Sequence, residues 1–231
     1  MSAAGKVTLF GHWICPYSVR VEFALAQRGI PYDLVDVPPS AVRPRGYVVP
    51  AEFELHSPKR EIPLVRIGGE YLADSMPILE WLERRYHESP LLPVDANAAA
   101  FVREQMIWID RNVYRPMIGV YYGSDPALIG AASDRFGVAI TTVGESLGAR
   151  PWLAGEQPTL AGALMVAVYV RLGGLRRLGL TAPVPSAVSA HIERCRSLPG
   201  FAAVEWSPAQ IDEFVSRFEK YRELRRAREL R

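Results

Sequence analysis

Apolar and polar positions change regime once along the 231 residues. Up to about residue 88, short apolar runs are cut by glycine and proline, whereas beyond it apolar residues recur at helical spacing. The run KVTLF at 6–10 stops at Gly11, and YDLVDV at 32–37 lies between Pro31 and Pro38. Both read as buried strands. Between them, residues 16–27 carry good helix formers, with Gly29 where a helix would end. That makes a β-α-β unit, hence a parallel pair with a right-handed crossover. IPLVRI, Gly68-Gly69 and EYL spell an antiparallel hairpin, because two glycines supply the positive φ angles of a two-residue turn. From Asp74, the apolar positions Ile78, Leu79, Leu82 and Tyr86 follow one helical face.

The expected domains follow from this pattern. Residues 1–88 form an α/β domain of order β-α-β-β-β-α with a mixed four-stranded sheet. Within it, 38–60 is a long Pro- and Arg-rich connection with a short helix at 51–55. Residues 89–97 are a linker, and 98–231 are all helix, with a first helix over 101–116 bent near its end. Further helices fall at 125–148, 159–173, 184–196 and 208–228.

Composition narrows the function. Nearly half the chain is apolar (49%), so a sizeable core can be built, and a formal charge of +2 argues against nucleic acid as a partner. The longest apolar run, 160–170, is too short to span a bilayer and the N-terminus shows no cleavable leader, so neither membrane insertion nor secretion is expected. Cys15 and Cys195 lie too far apart for a disulfide scaffold, which points to a reducing cytoplasm. No phosphate-cradling glycine motif and no cysteine–histidine cluster at metal spacing is present, so no metal is expected.

The chemistry concentrates at Cys15. If Cys15 caps a helix, Pro16 takes the first helical position, where its missing N–H costs nothing. The N–H groups of Tyr17 and Ser18 would then face the sulfur and favour a thiolate. Ser18 stands where a resolving cysteine would complete a Cys-x-x-Cys pair, so any disulfide of Cys15 needs an external thiol. Asp74 and Ser75 begin a helix and converge N–H groups, a hydroxyl and the helix dipole on any carboxylate; the simpler reading is plain N-capping. His12 could assist the sulfur or be structural, Cys195 reads as inert, and the tail KYRELRRARELR reads as a solvated helix face.

Three stretches, Cys15-Pro16-Tyr17-Ser18, Glu61-Ile62-Pro63-Leu64-Val65 and Asp74-Ser75-Met76-Pro77-Ile78-Leu79, together with a helical second half, resemble the glutathione transferase superfamily. The Cys-Pro-Tyr-Ser form is most similar to its cysteine-using, omega-like branch. The resemblance implies a thioredoxin-like N-terminal domain plus an all-α C-terminal helical domain, glutathione as cosubstrate, and a cytoplasmic homodimer. It implies that Pro63 is cis, that Ile62 pairs its backbone with the cysteinyl part of glutathione, and that Asp74 and Ser75 hold the γ-glutamyl end. Lys59 or Arg60 would be the basic contact to the glycyl carboxylate.

The implied activity is a glutathione-dependent thiol transferase or reductase that works through a Cys15–glutathione mixed disulfide. Its partner would be a small hydrophobic or aromatic electrophile, or an aromatic or keto glutathione conjugate. That second substrate would lie between the domains, with Trp13, Tyr114, Met117, Tyr121 and Tyr122 as candidate walls. The rival readings are a non-catalytic interaction or regulatory protein on the same fold and a conventional conjugating transferase. One departure from the family pattern is Gly162, three residues after Thr159, where the family usually has Asp; half of a capping box is missing, which weakens that helix.

Overall fold

The computed structural model describes residues 6–148 and 150–229; the outermost ends of the two expected domains lie outside that range. The chain divides into two compact units. One runs to Leu91 and includes Leu198–Val204; the other comprises Leu92–Ser197 and the chain from Glu205 onward.

The first unit holds β1 (Val7–Gly11), α1 (Pro16–Gln27), β2 (Tyr32–Asp36), α2 (Ala51–His56), β3 (Leu64–Ile67), β4 (Glu70–Ala73) and α3 (Ser75–Arg85). The strand order is β2-β1-β3-β4, with β1 parallel to β2 and antiparallel to β3. Gly68 (φ 56°) and Gly69 (φ 92°) turn β3 into β4, as the two-residue hairpin requires. This is the thioredoxin-like sheet, and β1 is buried along its whole length. The strand at 32–37 departs from expectation: β2 is half exposed, with Leu34 46% accessible, because it is an edge strand with a single neighbour. Phe10, Val37, Phe53 and Leu64 form a core cluster that draws α2 onto the sheet.

Two buried charges brace α1 against α3. Arg28 donates to Glu83 at 2.8 Å and to the Tyr86 carbonyl, while the other Glu83 oxygen accepts the Leu91 N–H at 3.0 Å. The two side chains are only 1% and 6% accessible.

The second unit is helical: α4 (Ala96–Ile109), α5 (Arg115–Tyr122), α6 (Pro126–Leu147), α7 (Leu160–Tyr169), α8 (Leu172–Arg177), α9 (Ser186–Arg196) and α11 (Pro208–Glu229). The short α10 (Pro199–Val204) belongs to the first unit rather than to the helical domain in which sequence places it. It packs on α1, where a β-carbon at Gly200 would come within 2.7 Å of the Phe23 carbonyl. Only glycine permits that approach. The bend expected near 116 is a π-helical turn, Asp110–Tyr114, joining α4 to α5. Pro116 lacks an N–H and crowds the preceding turn, and the wider π turn takes up the mismatch. The single helix expected over 159–173 is two, broken at Val170–Arg171. Among the described residues no helix is long and apolar enough to cross a membrane.

Thr159 caps α7: its hydroxyl accepts the Gly162 N–H at 3.4 Å and donates to the Leu153 carbonyl at 2.7 Å. Nothing lies within 4 Å of a β-carbon built at Gly162. Gly162→Ala is therefore expected to stabilise the protein by about 0.5–1 kcal/mol. A thermal melt should read this as a rise of about 2 °C.

Candidate functional site

The first turn of α1 places the sulfur. Cys15 has extended backbone angles (φ −79°, ψ 118°) and Pro16 is the first helical residue. The Cys15 carbonyl accepts the N–H groups of Ser18 at 3.1 Å and Val19 at 3.0 Å. The sulfur itself makes no capping bond to the helix, contrary to the expectation that Tyr17 and Ser18 would serve it. Sγ instead lies 3.8 Å from the carbonyl oxygen of Ile62, so the thiol donates across the unit to the segment before β3. Cys15 is 6% accessible.

The Ile62–Pro63 bond is cis. The loop before it is fixed by Ser57, whose hydroxyl donates to the Glu61 carbonyl (3.0 Å) and accepts the Glu61 N–H (3.1 Å). Ser18 is buried with its hydroxyl unpaired among the described residues, packed where a β-carbon at Gly11 would meet it at 3.1 Å.

The turn before the cysteine is shaped by His12. Its Nδ1 accepts the Ile14 N–H at 3.0 Å and its carbonyl accepts the Cys15 N–H at 2.9 Å. An accepting Nδ1 leaves the proton of the neutral ring on Nε2, which lies 3.7 Å from Asp36. His12 thus holds the loop that carries Cys15, the structural alternative of the sequence reading.

At the start of α3, Asp74 adopts a positive φ (66°, ψ 129°), rare for a residue with a side chain. Its carboxylate does not cap the helix, as plain N-capping would require; it pairs with Lys59 at 3.0 Å instead. Both side chains are more than half exposed, so this ion pair adds little stability. It does bring the 38–60 connection to the head of α3. Strain of this kind costs on the order of 1–3 kcal/mol and gathers at binding sites.

Ser75, 3% accessible, accepts two bonds from Arg20, at 2.9 Å from Nε and 2.5 Å from Nη2. Arg20 is itself 2% accessible and lies 4.8 Å from the centre of the Tyr17 ring. Sequence reasoning missed Arg20. The signal was there in its position on the line Pro16, Arg20, Phe23, Ala24, Gln27, a face of α1 that is otherwise mostly apolar. Arg20 follows Cys15 by five residues, about 7.5 Å along the helix. One helix therefore carries both the sulfur and the cation that grips Ser75.

Three of the five residues expected to face the second substrate are core residues instead. Tyr114, Met117 and Tyr121 are at most 2% accessible and belong to the core of the second unit. Tyr114 donates to the Leu164 carbonyl at 2.8 Å, and Tyr121 packs edge-on against Phe214 and Phe218. Their spacing of three and four residues puts them on one buried helical face. Tyr122 meets Phe218 and Tyr221, and Trp13 stacks on His12.

Cys195 is buried in a small network of the second unit, where the Tyr169 hydroxyl lies 2.9 Å from His191 Nδ1. Burial pushes the Cys195 thiol up to about 12, in keeping with an inert residue. Burial first, and then the Arg194 charge, holds His191 down at about 4. In the unfolded chain that imidazole binds its proton below about pH 6.5, which the fold does not permit until about 4. Stability is thus fully present above 6.5 and is lost as pH falls towards 4, by roughly 3 kcal/mol in all. Urea midpoints at pH 7, 5.5 and 4.5 should follow this fall, and His191→Phe should flatten it.

Residues 9–90 match the family model described as the glutathione S-transferase N-terminal domain. Glutathione S-transferase U2 of Arabidopsis thaliana is 29% identical over 129 residues, 53% of this chain and 54% of that protein. Maleylacetoacetate isomerase of Rattus norvegicus is 35% identical over 100 residues, 43% of this chain and 45% of that protein. The chain spans about half the length of the curated relatives it matches. Among solved structures, rice GST1 in complex with glutathione superposes with a TM-score of 0.77 at 20% identity, covering 94% of this chain and 97% of that one. Residues 9–90 are thus similar to a glutathione S-transferase N-terminal domain, and the chain shares its fold with solved glutathione S-transferases.

Proposed function

We propose that this chain is a glutathione-dependent thiol transferase in which Cys15 is the nucleophile. The observation that carries the reading is a single sulfur at the head of α1, facing the Ile62 carbonyl, with no cysteine at position 18 to close a disulfide on it. Glutathione is the thiol of choice because of the matched domain and because the rice structure is a complex with it. Ile62 and Pro63 would take its cysteinyl part, and Ser75, backed by Arg20, the γ-glutamyl carboxylate. Asp74 and Lys59 flank that corner.

The chemistry balances in two exchanges. The Cys15 thiolate attacks the glutathione sulfur of a mixed disulfide R–S–S–G, forming Cys15–S–S–G and releasing R–S⁻, which takes a proton. A second glutathione thiolate then attacks the glutathione sulfur of that adduct, yielding oxidised glutathione and regenerating the Cys15 thiolate. Aromatic or keto glutathione conjugates are an extension in which the leaving group is a stabilised carbanion that picks up a proton. A cytoplasmic homodimer of the omega-like type completes the proposal. The rat relative's name favours a second reading, isomerisation of an acid like maleylacetoacetate.

Intact mass after incubation with oxidised glutathione tests the first reading. One glutathione adduct is expected on the native chain and none on Cys15→Ala. No adduct, or one that survives the substitution, sinks it.

A further inference from the structure

The buried titratable group that the thiol exchange leaves unused is His12, three residues before Cys15. Both its backbone and its ring receive the turn that follows. The His12 carbonyl accepts the Cys15 N–H at 2.9 Å, and Nδ1 accepts the Ile14 N–H at 3.0 Å. His12 and Ile14 are both buried, so water offers the Ile14 N–H no substitute partner. The other ring nitrogen faces away from the turn. Nε2 lies 3.7 Å from the Asp36 carboxylate, and the Trp13 ring stacks on the imidazole with centroids 5.4 Å apart. Asp36 ends β2 opposite Gly11, where its carbonyl accepts the Tyr47 hydroxyl. With one nitrogen taken by Ile14 and the other turned to Asp36, the ring is not placed to take a proton from the Cys15 sulfur.

The neutral ring carries its proton on Nε2, because Nδ1 needs its lone pair for Ile14. A second proton can enter only at Nδ1. There it meets the Ile14 N–H donor to donor, and the turn no longer closes around the ring. Charging His12 and closing the cysteine turn therefore exclude each other. The charged group that faces the ring from a neighbouring element is Asp36 of β2, with Tyr47 of the 38–60 connection on the same strand end; on its own turn the titratable neighbour is Cys15. The Asp36 carboxylate favours a charged ring, so it makes the turn easier to open in acid.

We propose that His12 is the positioning residue of Cys15, and that it holds the sulfur toward the Ile62 carbonyl only while its ring is neutral. The proposal rests on the reading of Cys15 as the reacting sulfur. It adds a second requirement to the exchange. In acid the Cys15 thiolate and the neutral His12 ring are lost separately, each to one proton.

The chain has 4 histidines, so NMR of the full chain with nitrogen-labelled histidine and isoleucine can follow the ring directly. The His12 signals, identified by their loss in His12→Asn, should show a proton on Nε2 and a bare Nδ1 at pH 7. As the pH is lowered, the Ile14 amide should shift at the same midpoint as the ring. A proton on Nδ1, or an Ile14 amide indifferent to the titration, overturns the proposal. Asp36→Asn should move the midpoint down by about half a pH unit, whereas simple loosening of the turn would move it up. The second readout is the rate at which oxidised glutathione forms the Cys15 adduct. Around the midpoint that rate should fall by about one power of proton concentration more steeply in the native chain than in His12→Asn. At pH 8, His12→Phe, which keeps a ring for Trp13 but has no acceptor, should lose about tenfold. His12→Asn should recover most of this, because an asparagine accepts the N–H two residues on without titrating. Equal slopes, or a phenylalanine variant as fast as the native chain, also overturn the proposal. Absence of an adduct at every pH, with the Ile14 titration intact, counts against the thiol-transfer reading and leaves the His12 turn standing.

Discussion

Cys15→Ser is expected to lower glutathione-dependent disulfide turnover by on the order of 10³-fold or more, to the uncatalysed background. A hydroxyl nearly matches a thiol in shape, but oxygen forms no stable counterpart of the mixed disulfide, and the serine hydroxyl is not ionised at neutral pH. The remaining contacts explain why the loss should be confined to the rate. Ile62 offers its backbone, and Ser75 is held by Arg20 from another part of α1. Glutathione affinity measured by calorimetry should therefore change little, and so should the melting temperature. A serine variant that retains turnover would remove Cys15 from the mechanism, whatever else binds there.

Glu83→Ala is expected to be the most damaging of these substitutions to the fold, costing roughly 3–5 kcal/mol, because it strands the Arg28 guanidinium in a nearly water-free setting. It also removes the acceptor for the Leu91 N–H, where the first unit ends. The loss belongs to the orphaned charge more than to the pair. Replacing both members by apolar residues, Arg28→Met with Glu83→Leu, should therefore recover most of the stability. Urea unfolding of the two variants beside the native chain measures the difference. A double variant no better than Glu83→Ala would mean that the hydrogen bonds to Tyr86 and Leu91, rather than the buried charge, hold this corner.

Much of the fold is legible in the chain because local rules and tertiary packing agree. Pro16 and Gly29 bound α1, and Gly68-Gly69 admits only a tight turn. Burial of β2 was misjudged for a physical reason: an apolar run between prolines does not tell an edge strand from a central one, since that depends on which strand lies on each side. The break after α7 and the separate attachment of α10 are equally non-local. Each is set by what the chain meets on returning, as at Gly200 against Phe23. At the site, the sulfur and the helix starts are visible as motifs, and the cis bond is legible only through resemblance. Arg20 was hidden because an arginine in a helix usually faces water, and the positive φ of Asp74 has no signature in its neighbours. The aromatic run at 114–122 shows the reverse error, since the heptad-like spacing that looked like a wall is what sends those rings inward.

The grip of Arg20 on Ser75 sets the polarity of the corner they form. A hydroxyl oxygen has two lone pairs, and Nε and Nη2 of Arg20 both donate to it. A guanidinium can take nothing in return, so the proton of Ser75 is the one thing the residue still has to offer. Ser75 is consequently one-handed. It can give a hydrogen bond to a carboxylate or carbonyl, but it has no lone pair for an ammonium, and it keeps a positive charge directly behind. The corner would therefore sort the two charges of an amino-acid end group, the carboxylate going to Ser75 with Arg20 behind it and the ammonium to the Asp74 carboxylate.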